Sequence, residues 1–315
     1  MKKILVLGGC GFIGTELVKA LIKKNHNVTV IDSQWFGNRL IKSKNLNIIK
    51  KDIRNISSFS FKSFQAVIHL ANIANDPSVE LNPNLSWETN VLASYVISEK
   101  CRLEGVKQLI FSSSGSVYGI KKERKVNEDL SLIPISIYNK TKMVAEKIFL
   151  SEKENLKIHC IRPATVCGYS DRMRLDVSVN MLTYQALKFK KITVFGGSQI
   201  RPNINIKDIV GVFLHFITNP KIPSGCYNAG FENLTLLKIA KLIQKEIPSK
   251  IIITKNQSDL RSYRLNSDKL LKTGFIQKYN VMDAIKEIKE KYINRKFKAT
   301  DNCFTVKWMK KNKIK

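Results

Sequence analysis

The sequence lacks several features that would each point to a particular class of protein. It contains no apolar run close to the roughly 20 residues that a membrane-spanning helix needs, no internal repeat and no low-complexity linker. Its six cysteines show no Cys-x-x-Cys spacing and mostly fall in predicted strands or helices, which favours reduced thiols over disulfides or a metal site. We therefore expect a soluble cytoplasmic protein with no membrane span and no bound metal.

Acidic residues are also scarce, with 25 Asp and Glu against 54 Lys and Arg, which gives a formal net charge of +29. Such a balance is one indication of a nucleic-acid partner. The lysines are spread over every segment, however, so we favour a solvated lysine-rich surface and expect no nucleic acid. We interpret the dense basic block at 307–315 as a mobile tail. A basic, non-catalytic RNA-binding or scaffold protein stays as a second hypothesis.

Glycines are concentrated in a motif near the N-terminus. Residues 8–14 read Gly-Gly-Cys-Gly-Phe-Ile-Gly, between a short apolar strand at 2–7 and a segment of helical apolar spacing at 13–24. The glycines therefore fall at a strand-to-helix turn, where a helix N-terminus can face phosphates. The first glycine permits the tight turn, Gly11 removes a side chain that would block a pyrophosphate, and Gly14 lets helix and strand pack closely.

An acidic residue stands at the distance from this motif that a dinucleotide site requires. A second predicted strand at 27–31 ends in Asp32, whose carboxylate can accept hydrogen bonds from a ribose hydroxyl. The same carboxylate would repel a 2′-phosphate. The two features together predict a site for NAD rather than NADP.

Strand and helix signals alternate along the first half of the chain, as a doubly wound parallel sheet requires. Further buried strands are predicted at 66–71, 108–113 and 157–162, and helices at 86–105 and 138–154. We predict an α/β fold with a Rossmann-type doubly wound parallel sheet and a smaller mixed α/β C-terminal lobe.

The chain changes character after Pro163, where short strands and loops surround helices predicted at 177–188 and 235–247. We predict that residues 1–165 form a dinucleotide-binding domain and that residues 166–315 form mainly a substrate-binding lobe. Because no linker separates them, we expect the two parts to be interleaved, with some later segments returning to the first domain.

A second motif, Tyr138-Asn139-Lys140-Thr141-Lys142, follows the serine-rich end of the strand at 108–113. Tyr138 and Lys142 are four residues apart, so they share one face of a helix. A free phenol has a pKa of about 10, and a neighbouring ammonium lowers it by stabilising the phenolate. The pair can therefore serve as a general base at neutral pH.

Together these motifs resemble the extended short-chain dehydrogenase/reductase family, in particular its nucleotide-sugar epimerases and dehydratases. The resemblance covers nearly the whole chain, and its segments keep the order and spacing of the family. The matching segments are Gly8 to Gly14, Asp32, Asp52-Ile53, His69-Leu70-Ala71, Asn90, residues 112–119, Tyr138 to Lys142, Arg162-Pro163, and Arg201-Pro202 followed by Asp208.

The resemblance implies NAD as the cofactor and a nucleotide-diphosphate sugar as the substrate. Tyr138 would take a proton from a sugar hydroxyl while hydride passes to NAD, Lys142 would also hold the nicotinamide ribose, and Ser114 would hydrogen-bond the same sugar oxygen. These three are the implied catalytic residues. The implied cofactor contacts are Gly8, Gly11, Phe12, Ile13, Gly14, Asp32, Asp52, Ile53, Leu70, Ala71, Asn90, Ser112, Tyr138, Lys142 and Pro163.

Further substrate contacts are implied by the resemblance alone. Arg201 and Asn180 match family positions that hold the diphosphate, and Arg261 offers a second clamp, for which the bidentate fork of arginine is suited. A surface ion pair for Arg261 and a structural amide for Asn180 are open alternatives. Thr165 stands where many members contact the substrate with Asn, and Asn205 replaces a frequent His. Both departures leave the identity of the sugar open.

The residues that follow Ser114 separate the reactions of the family. The resemblance implies that the dehydratases of the family carry an acidic pair, or at least a glutamate, at the two positions after this serine. It also implies that the 3,5-epimerases usually carry a cysteine at the second of these positions. This chain has Gly115 and Ser116. The sequence therefore favours a 4-epimerase that removes and returns hydride through a 4-keto sugar, with a dehydratase or dehydrogenase as alternatives. The family also implies a homodimer through the helices at 86–105 and 138–154.

Overall fold

The fold consists of a large parallel sheet, two small sheets and the helices that cover them. The computed structural model describes residues 1–255 and 262–314. The strands are β1 (Lys3–Leu7), β2 (Asn27–Asp32), β3 (Leu46–Lys50), β4 (Ala66–His69), β5 (Gln108–Ser112), β6 (Lys157–Pro163), β7 (Thr165–Cys167), β8 (Lys191–Phe195), β9 (Ile200–Asn205), β10 (Gly225–Ala229), β11 (Glu232–Thr235) and β12 (Lys250–Thr254). The α-helices are α1 (Phe12–Lys23), α2 (Asp76–Val79), α3 (Pro83–Trp87), α4 (Ala93–Leu103), α5 (Ile137–Leu150), α6 (Ser178–Phe189), α7 (Ile206–Thr218), α8 (Leu236–Glu246), α9 (Asp268–Leu271), α10 (Val281–Ile293) and α11 (Thr305–Lys311).

The large sheet has the strand order β10-β6-β5-β4-β1-β2-β3, and every neighbouring pair is parallel. From β1 the order runs outward in both directions, so β1 and β4 mark the reversal where a crevice opens at the carboxyl ends of the strands. Ile4 to Leu7 of β1 are fully buried, as the continuous apolar pattern of a parallel strand requires. The predicted Rossmann-type sheet is confirmed.

Helices cover both faces of this sheet. Alternate side chains of β1 therefore enter two different cores. Ile4 and Val6 pack on the face covered by α1 and α7, whereas Leu5 and Leu7 pack on the face covered by α4 and α5. Both α7 and β10 come after residue 165 in the chain and yet belong to these layers.

The remaining segments build a second lobe above the carboxyl ends of the strands. It contains a three-stranded sheet of order β11-β9-β7 and a parallel pair of β12 with β8. The helices α6, α8 and α10 pack against one another around Val179, Ile239 and Ile285, which are fully buried. This lobe supplies the wall that faces the dinucleotide motif.

The helix predicted at 86–105 is composed of three pieces. The end of α3 leads through a π-helical turn at Glu88–Leu92 into α4. An extra residue in such a turn shifts the face that the rest of the helix presents to the core. Within residues 1–255 and 262–314, no helix is long and apolar enough to cross a membrane.

The expectation of a mobile C-terminal tail is wrong for most of the segment at 307–315. The chain forms α11 there, and Met309 is fully buried in a cluster with Ile73 and Val79. Trp308 stacks on Trp35, with ring centroids 5.4 Å apart and an interplanar angle of 19°. Lys307, Lys310, Lys311 and Lys313 are exposed while Trp308 and Met309 pack on the body of the protein, so a charge-rich composition concealed an amphipathic helix.

Candidate active site

A cavity of about 410 Å³ lies at the carboxyl ends of the strands, between the large sheet and the second lobe. An adjoining cavity of about 120 Å³ shares Gly8, Gly11 and Leu70 with it. The predicted site residues that line the larger cavity are Gly8, Gly11, Phe12, Ile13, Gly14, Leu70, Ser112, Ser114, Tyr138, Lys142, Pro163, Thr165 and Arg201. Those that line the smaller cavity include Asp32, Asp52, Ile53 and Ala71.

The glycine motif forms the turn between β1 and α1. Gly8 has φ +88°, and a Cβ added to it would lie 2.5 Å from the backbone nitrogen of Ala71, so only glycine fits. A Cβ on Gly14 would collide with the carbonyl oxygen of Gly8. Gly11 faces the cavity directly before Phe12, where α1 begins without a side-chain cap. The first amides of α1 are therefore available to the phosphates of a dinucleotide.

Asp32 ends β2 on the wall of the smaller cavity. One of its carboxylate oxygens accepts a hydrogen bond from the backbone nitrogen of Cys10 at 2.9 Å, and the other accepts from that of Gln34 at 2.7 Å. Burial raises the pKa of this carboxyl above its usual value. The two amide donors hold the carboxylate in a fixed orientation beside the glycine turn, which is the arrangement that a ribose contact needs.

Asn90 has a different position from its neighbours in the predicted cofactor set. It is fully buried, and it is not among the described residues that line either cavity. Its Oδ1 accepts from the backbone nitrogen of Ile73, and its Nδ2 donates to the carbonyl oxygen of Ile73 and to Oγ1 of Thr141. The geometry favours a residue that fixes the loop after β4 over a direct cofactor contact.

The helix α5 carries Tyr138 and Lys142 into the cavity. It begins at the N-cap Ser136, whose hydroxyl accepts from the backbone nitrogen of Asn139. One turn beyond Lys142, the buried Glu146 accepts two hydrogen bonds from Arg162 of β6, at 2.9 and 2.7 Å. This ion pair joins α5 to β6 of the large sheet. It therefore helps to fix the position of α5, and with it that of Tyr138, relative to the ends of the strands.

Lys142 is the buried lysine of the catalytic set. It is 3% exposed, its Nζ donates to the carbonyl oxygen of Ser112 at 2.6 Å, and the same atom lies 4.7 Å from the centroid of the Phe111 ring. Burial lowers the pKa of Lys142 to about 7. An ammonium in such a place favours an anion beside it, and Tyr138 is the group one helical turn away on the same face.

Ser114 stands at the end of β5, where it caps a 3₁₀ turn at Gly115–Tyr118. Its Oγ lies 2.7 Å from Oγ of Ser116, which in turn donates to Oδ1 of Asn139 at 2.6 Å. Asn139 follows Tyr138 directly in α5. The hydroxyl chain therefore fixes Ser114 relative to the helix that carries the tyrosine.

The substrate-side predictions divide among three locations. Thr165 and the largely buried Arg201 line the large cavity. Asn180 is fully buried and is absent from the described lining; its Oδ1 accepts from the backbone nitrogen of Gly168, and its Nδ2 donates to the carbonyl oxygens of Gly168 and Arg174. The geometry favours the structural alternative for Asn180. Arg261 lies outside the described residues.

Several residues of the cavity wall were missed by the sequence analysis. They are Trp35 and Phe36 after β2, Arg172, Arg174 and Asp176 in the loop before α6, and Thr305 and Met309 from α11. The loop could have been noticed as two arginines between Gly168 and Asn180. The residues of α11 carry no comparable signal, because the buried residues that Met309 packs against, Ile73 and Val79, lie 230 or more positions earlier in the chain.

Comparisons with known proteins agree with this geometry. The sequence model of the NAD dependent epimerase/dehydratase family matches residues 4–230. The uncharacterized UDP-glucose epimerase YtcB of Bacillus subtilis strain 168 is 31% identical over 258 residues, which span 77% of this chain and 81% of that protein.

Two solved structures share the fold over nearly their whole length. The UDP-N-acetylglucosamine 4-epimerase from Methanobrevibacter ruminantium M1, in complex with UDP-N-acetylmuramic acid, has a TM-score of 0.85 and 25% identity, and the match covers 93% of this chain and 99% of that one. The UDP-glucuronic acid 4-epimerase from Bacillus cereus, in complex with UDP-glucuronic acid and NAD, has a TM-score of 0.81 and 25% identity, with 94% and 100% covered. This chain is therefore an enzyme of the NAD-dependent epimerase/dehydratase family, and its cofactor is NAD.

Proposed function

We propose that this enzyme is a nucleotide-sugar 4-epimerase and that its substrate is a UDP-sugar. One observation carries the proposal. Ser114, Tyr138 and Lys142 line the same cavity as the glycine turn, while the adjoining positions Gly115 and Ser116 offer no carboxylate or thiol for a second proton transfer. The relatives named above as UDP-sugar epimerases support UDP as the nucleotide.

The proposed roles follow from the positions of the three side chains. Tyr138 takes the proton from the C4 hydroxyl of the sugar and later returns it, since a phenolate is a base strong enough for an alcohol proton. Lys142 stabilises the phenolate by charge, and Ser114 orients the same sugar oxygen. NAD⁺ supplies the hydride acceptor, and in its reduced form the donor that returns hydride to the other face of the 4-keto sugar.

The wall beside Ser114 argues against elimination. A Cβ built on Gly115 would lie 3.2 Å from the carbonyl oxygen of Pro163 and 3.4 Å from the hydroxyl oxygen of Tyr263. A side chain at this place would therefore require these neighbours to shift. Neither Gly115 nor Ser116 supplies the carboxylate of the dehydratase alternative.

The cofactor and substrate contacts are proposed on the same basis. We assign the dinucleotide to the glycine turn, Asp32 and the strip of the smaller cavity, and the sugar diphosphate to the side of Arg201 and Thr165. About 410 Å³ lies within the range of small-molecule sites, which supports a cavity where a hexose ring can turn. We propose the division at residue 165 for binding alone, with residues 1–165 binding the dinucleotide and residues 166–315 mainly the substrate. The fold does not divide at the same place, because β10 and α7 follow residue 165 and belong to the layers of the large sheet.

A cytoplasmic homodimer is the assembly that we propose for this enzyme. Three large apolar side chains near or on α4 are exposed, namely Leu92 at 61%, Tyr95 at 55% and Leu103 at 69%. Exposed apolar groups on one helix support a protein contact there. Tyr95→Glu should give monomers in size-exclusion chromatography with light scattering, and an unchanged mass would refute this interface.

The test of the reaction is a panel of UDP-glucose, UDP-galactose, UDP-N-acetylglucosamine, UDP-glucuronic acid and dTDP-glucose, followed by NMR in D₂O. We expect interconversion at C4 of at least one UDP-sugar, with no deuterium at C3 or C5 and no net reduction of NAD⁺. Tyr138→Phe should lower kcat by about 10²-fold to 10⁴-fold, as expected for the loss of a general base. Tyr279→Phe, at a tyrosine outside the cavity lining, is the matched control and should retain full activity.

Two other products would each overturn the proposal. A 4-keto-6-deoxy sugar with deuterium at C5 identifies a dehydratase. Accumulation of an oxidised sugar with stoichiometric NADH identifies a dehydrogenase.

A further inference from the structure

Arg172 is a buried cation on the wall of the large cavity, and none of the roles above includes it. It is 5% exposed, and its Nε and Nη1 have no hydrogen-bond partner among the residues that the structure describes. Its guanidinium carbon lies 4.0 Å from the centroid of the Phe36 ring, and burial lowers the pKa of Arg172 to about 10. Two unsatisfied buried donors on a cation are costly unless an anion completes them.

The nearby carboxylates are already engaged with other groups. Asp176 accepts from Nε of Arg174 at 2.5 Å and from the backbone nitrogen of Thr305 at 2.8 Å. Asp32 accepts from the two backbone amides described above. Arg174 also places a like charge close to Arg172. Charged groups therefore lie close to Arg172, but Nε and Nη1 of its guanidinium have no hydrogen-bond partner among the described residues.

The location of this fork indicates which anion it serves. Oγ of Ser170 donates to the carbonyl oxygen of Phe12 at 2.9 Å, which ties the arginine loop to the first residue of α1. Arg172, Gly11 and Phe12 line one cavity. The N-terminus of α1 and the guanidinium therefore face the same space from opposite lobes, and both favour a diphosphate.

The C-terminal segment contacts both the loop that carries Arg172 and the Phe36 residue on which its guanidinium rests. Besides the contact of Thr305 with Asp176, Nδ2 of Asn302 donates to the carbonyl oxygen of Phe36 at 3.4 Å. The ring of Trp308 lies 5.1 Å from the ring of Phe36, on which the guanidinium rests. The last helix thereby contacts both elements that position the arginine.

We propose that Arg172 binds the diphosphate of NAD from the second lobe, opposite the glycine turn, and that the C-terminal helix holds it there. The inference rests on the proposed function for its purpose, because a 4-epimerase must keep the same NAD through removal and return of the hydride. Closing the diphosphate between two lobes retains the cofactor while the sugar turns.

Isothermal titration with two ligands tests this assignment without turnover. ADP-ribose carries the diphosphate of NAD, and UDP carries the diphosphate of the substrate. Arg172→Met should weaken ADP-ribose binding by about tenfold to 100-fold, as for the loss of charged hydrogen bonds, and leave UDP binding within about twofold. Arg295→Met is the matched control, because Arg295 is exposed just after α10 and is not among the described residues that line either cavity.

Weaker UDP binding with unchanged ADP-ribose binding would assign Arg172 to the substrate and overturn the proposal, as would no change in either affinity. Should Arg172→Met fail to fold, Arg172→Lys keeps the charge but loses the fork, and we expect ADP-ribose binding about threefold to tenfold weaker. The same loss is expected for Trp308→Ala, and an unchanged affinity would refute the part of the C-terminal helix. A wild-type chain that binds ADP-ribose but epimerises no UDP-sugar would refute the proposed 4-epimerase function and leave the assignment of Arg172 to the NAD diphosphate intact.

Discussion

Shortening Met309 to alanine should release the C-terminal helix from the rest of the enzyme. The helix α11 has seven residues, and an isolated helix of that length is not stable in water. It is held by packing instead, with Met309 fully buried against Ile73 and Val79 and with Tyr138 packed against the same cluster. Removing a buried methionine side chain beyond Cβ costs about 2–5 kcal/mol.

This cost falls on the docking of α11 rather than on the whole fold, because the segment is terminal and Met309 packs on the body within one small cluster. At about 1.4 kcal/mol per factor of ten, a loss of about 3 kcal/mol raises the undocked population by about 100-fold. Hydrogen exchange measured by mass spectrometry should show amides of 305–311 exchanging faster by that order, with the strands of the large sheet unchanged. Ile276→Ala is the control, since that side chain is 72% exposed in the loop before α10.

Two results would contradict the reasoning. Unchanged exchange at 305–311 would mean that the cluster does not hold the helix. An equal increase over the whole chain would mean that α11 opens only when the enzyme unfolds globally. Because Tyr138 packs on the same cluster, we also expect Met309→Ala to lower kcat, and Ile276→Ala to retain it.

Three further predictions concern the groups beneath the site. Arg162→Met leaves Glu146 charged and unpaired in the interior and should cost about 3–5 kcal/mol in urea unfolding, while Arg162→Met with Glu146→Leu should recover part of that loss; a double variant less stable than the single one would refute this. Because burial lowers the pKa of Lys142 from 10.5 to about 7, the unfolded chain binds more protons between these values, so stability rises with pH there. In enzyme stripped of NAD, the wild type should therefore gain stability over Lys142→Met between about pH 7.5 and pH 9.5, and parallel profiles would count against a buried neutral amine. Asp32→Ser should weaken NADH binding about tenfold and NADPH binding less, as followed by fluorescence titration, and equal losses would show that the carboxylate does not select the cofactor.

Features that depend on residues close together in the chain could be predicted from the sequence. The glycine turn, the strand that ends in Asp32 and the Tyr138–Lys142 spacing are each readable from a window of about 25 residues, because local sterics and helical periodicity decide them. The alternation of strands and helices was sufficient to predict the parallel sheet. The resemblance then supplied the nucleotide-sugar substrate class and the expected roles of the site residues.

Tertiary structure decided what depends on partners distant in sequence. Asn90 and Asn180 occupy positions where polar contact was expected, yet their amides are used to hold Ile73 and Gly168. The residue type decides how many hydrogen bonds a side chain can donate and accept, whereas the packed backbone around it decides which groups become its partners.

The C-terminal segment shows the same division most clearly. Its lysines dominated the composition and suggested a mobile tail, but Trp308 finds Trp35 and Met309 finds Ile73 across more than 230 intervening residues. Arg172 and Gly11 likewise line one cavity only because segments distant in the sequence pack together. Such contacts are selected by burial of apolar area in the assembled molecule, and no local pattern encodes which distant surface will be there to receive them.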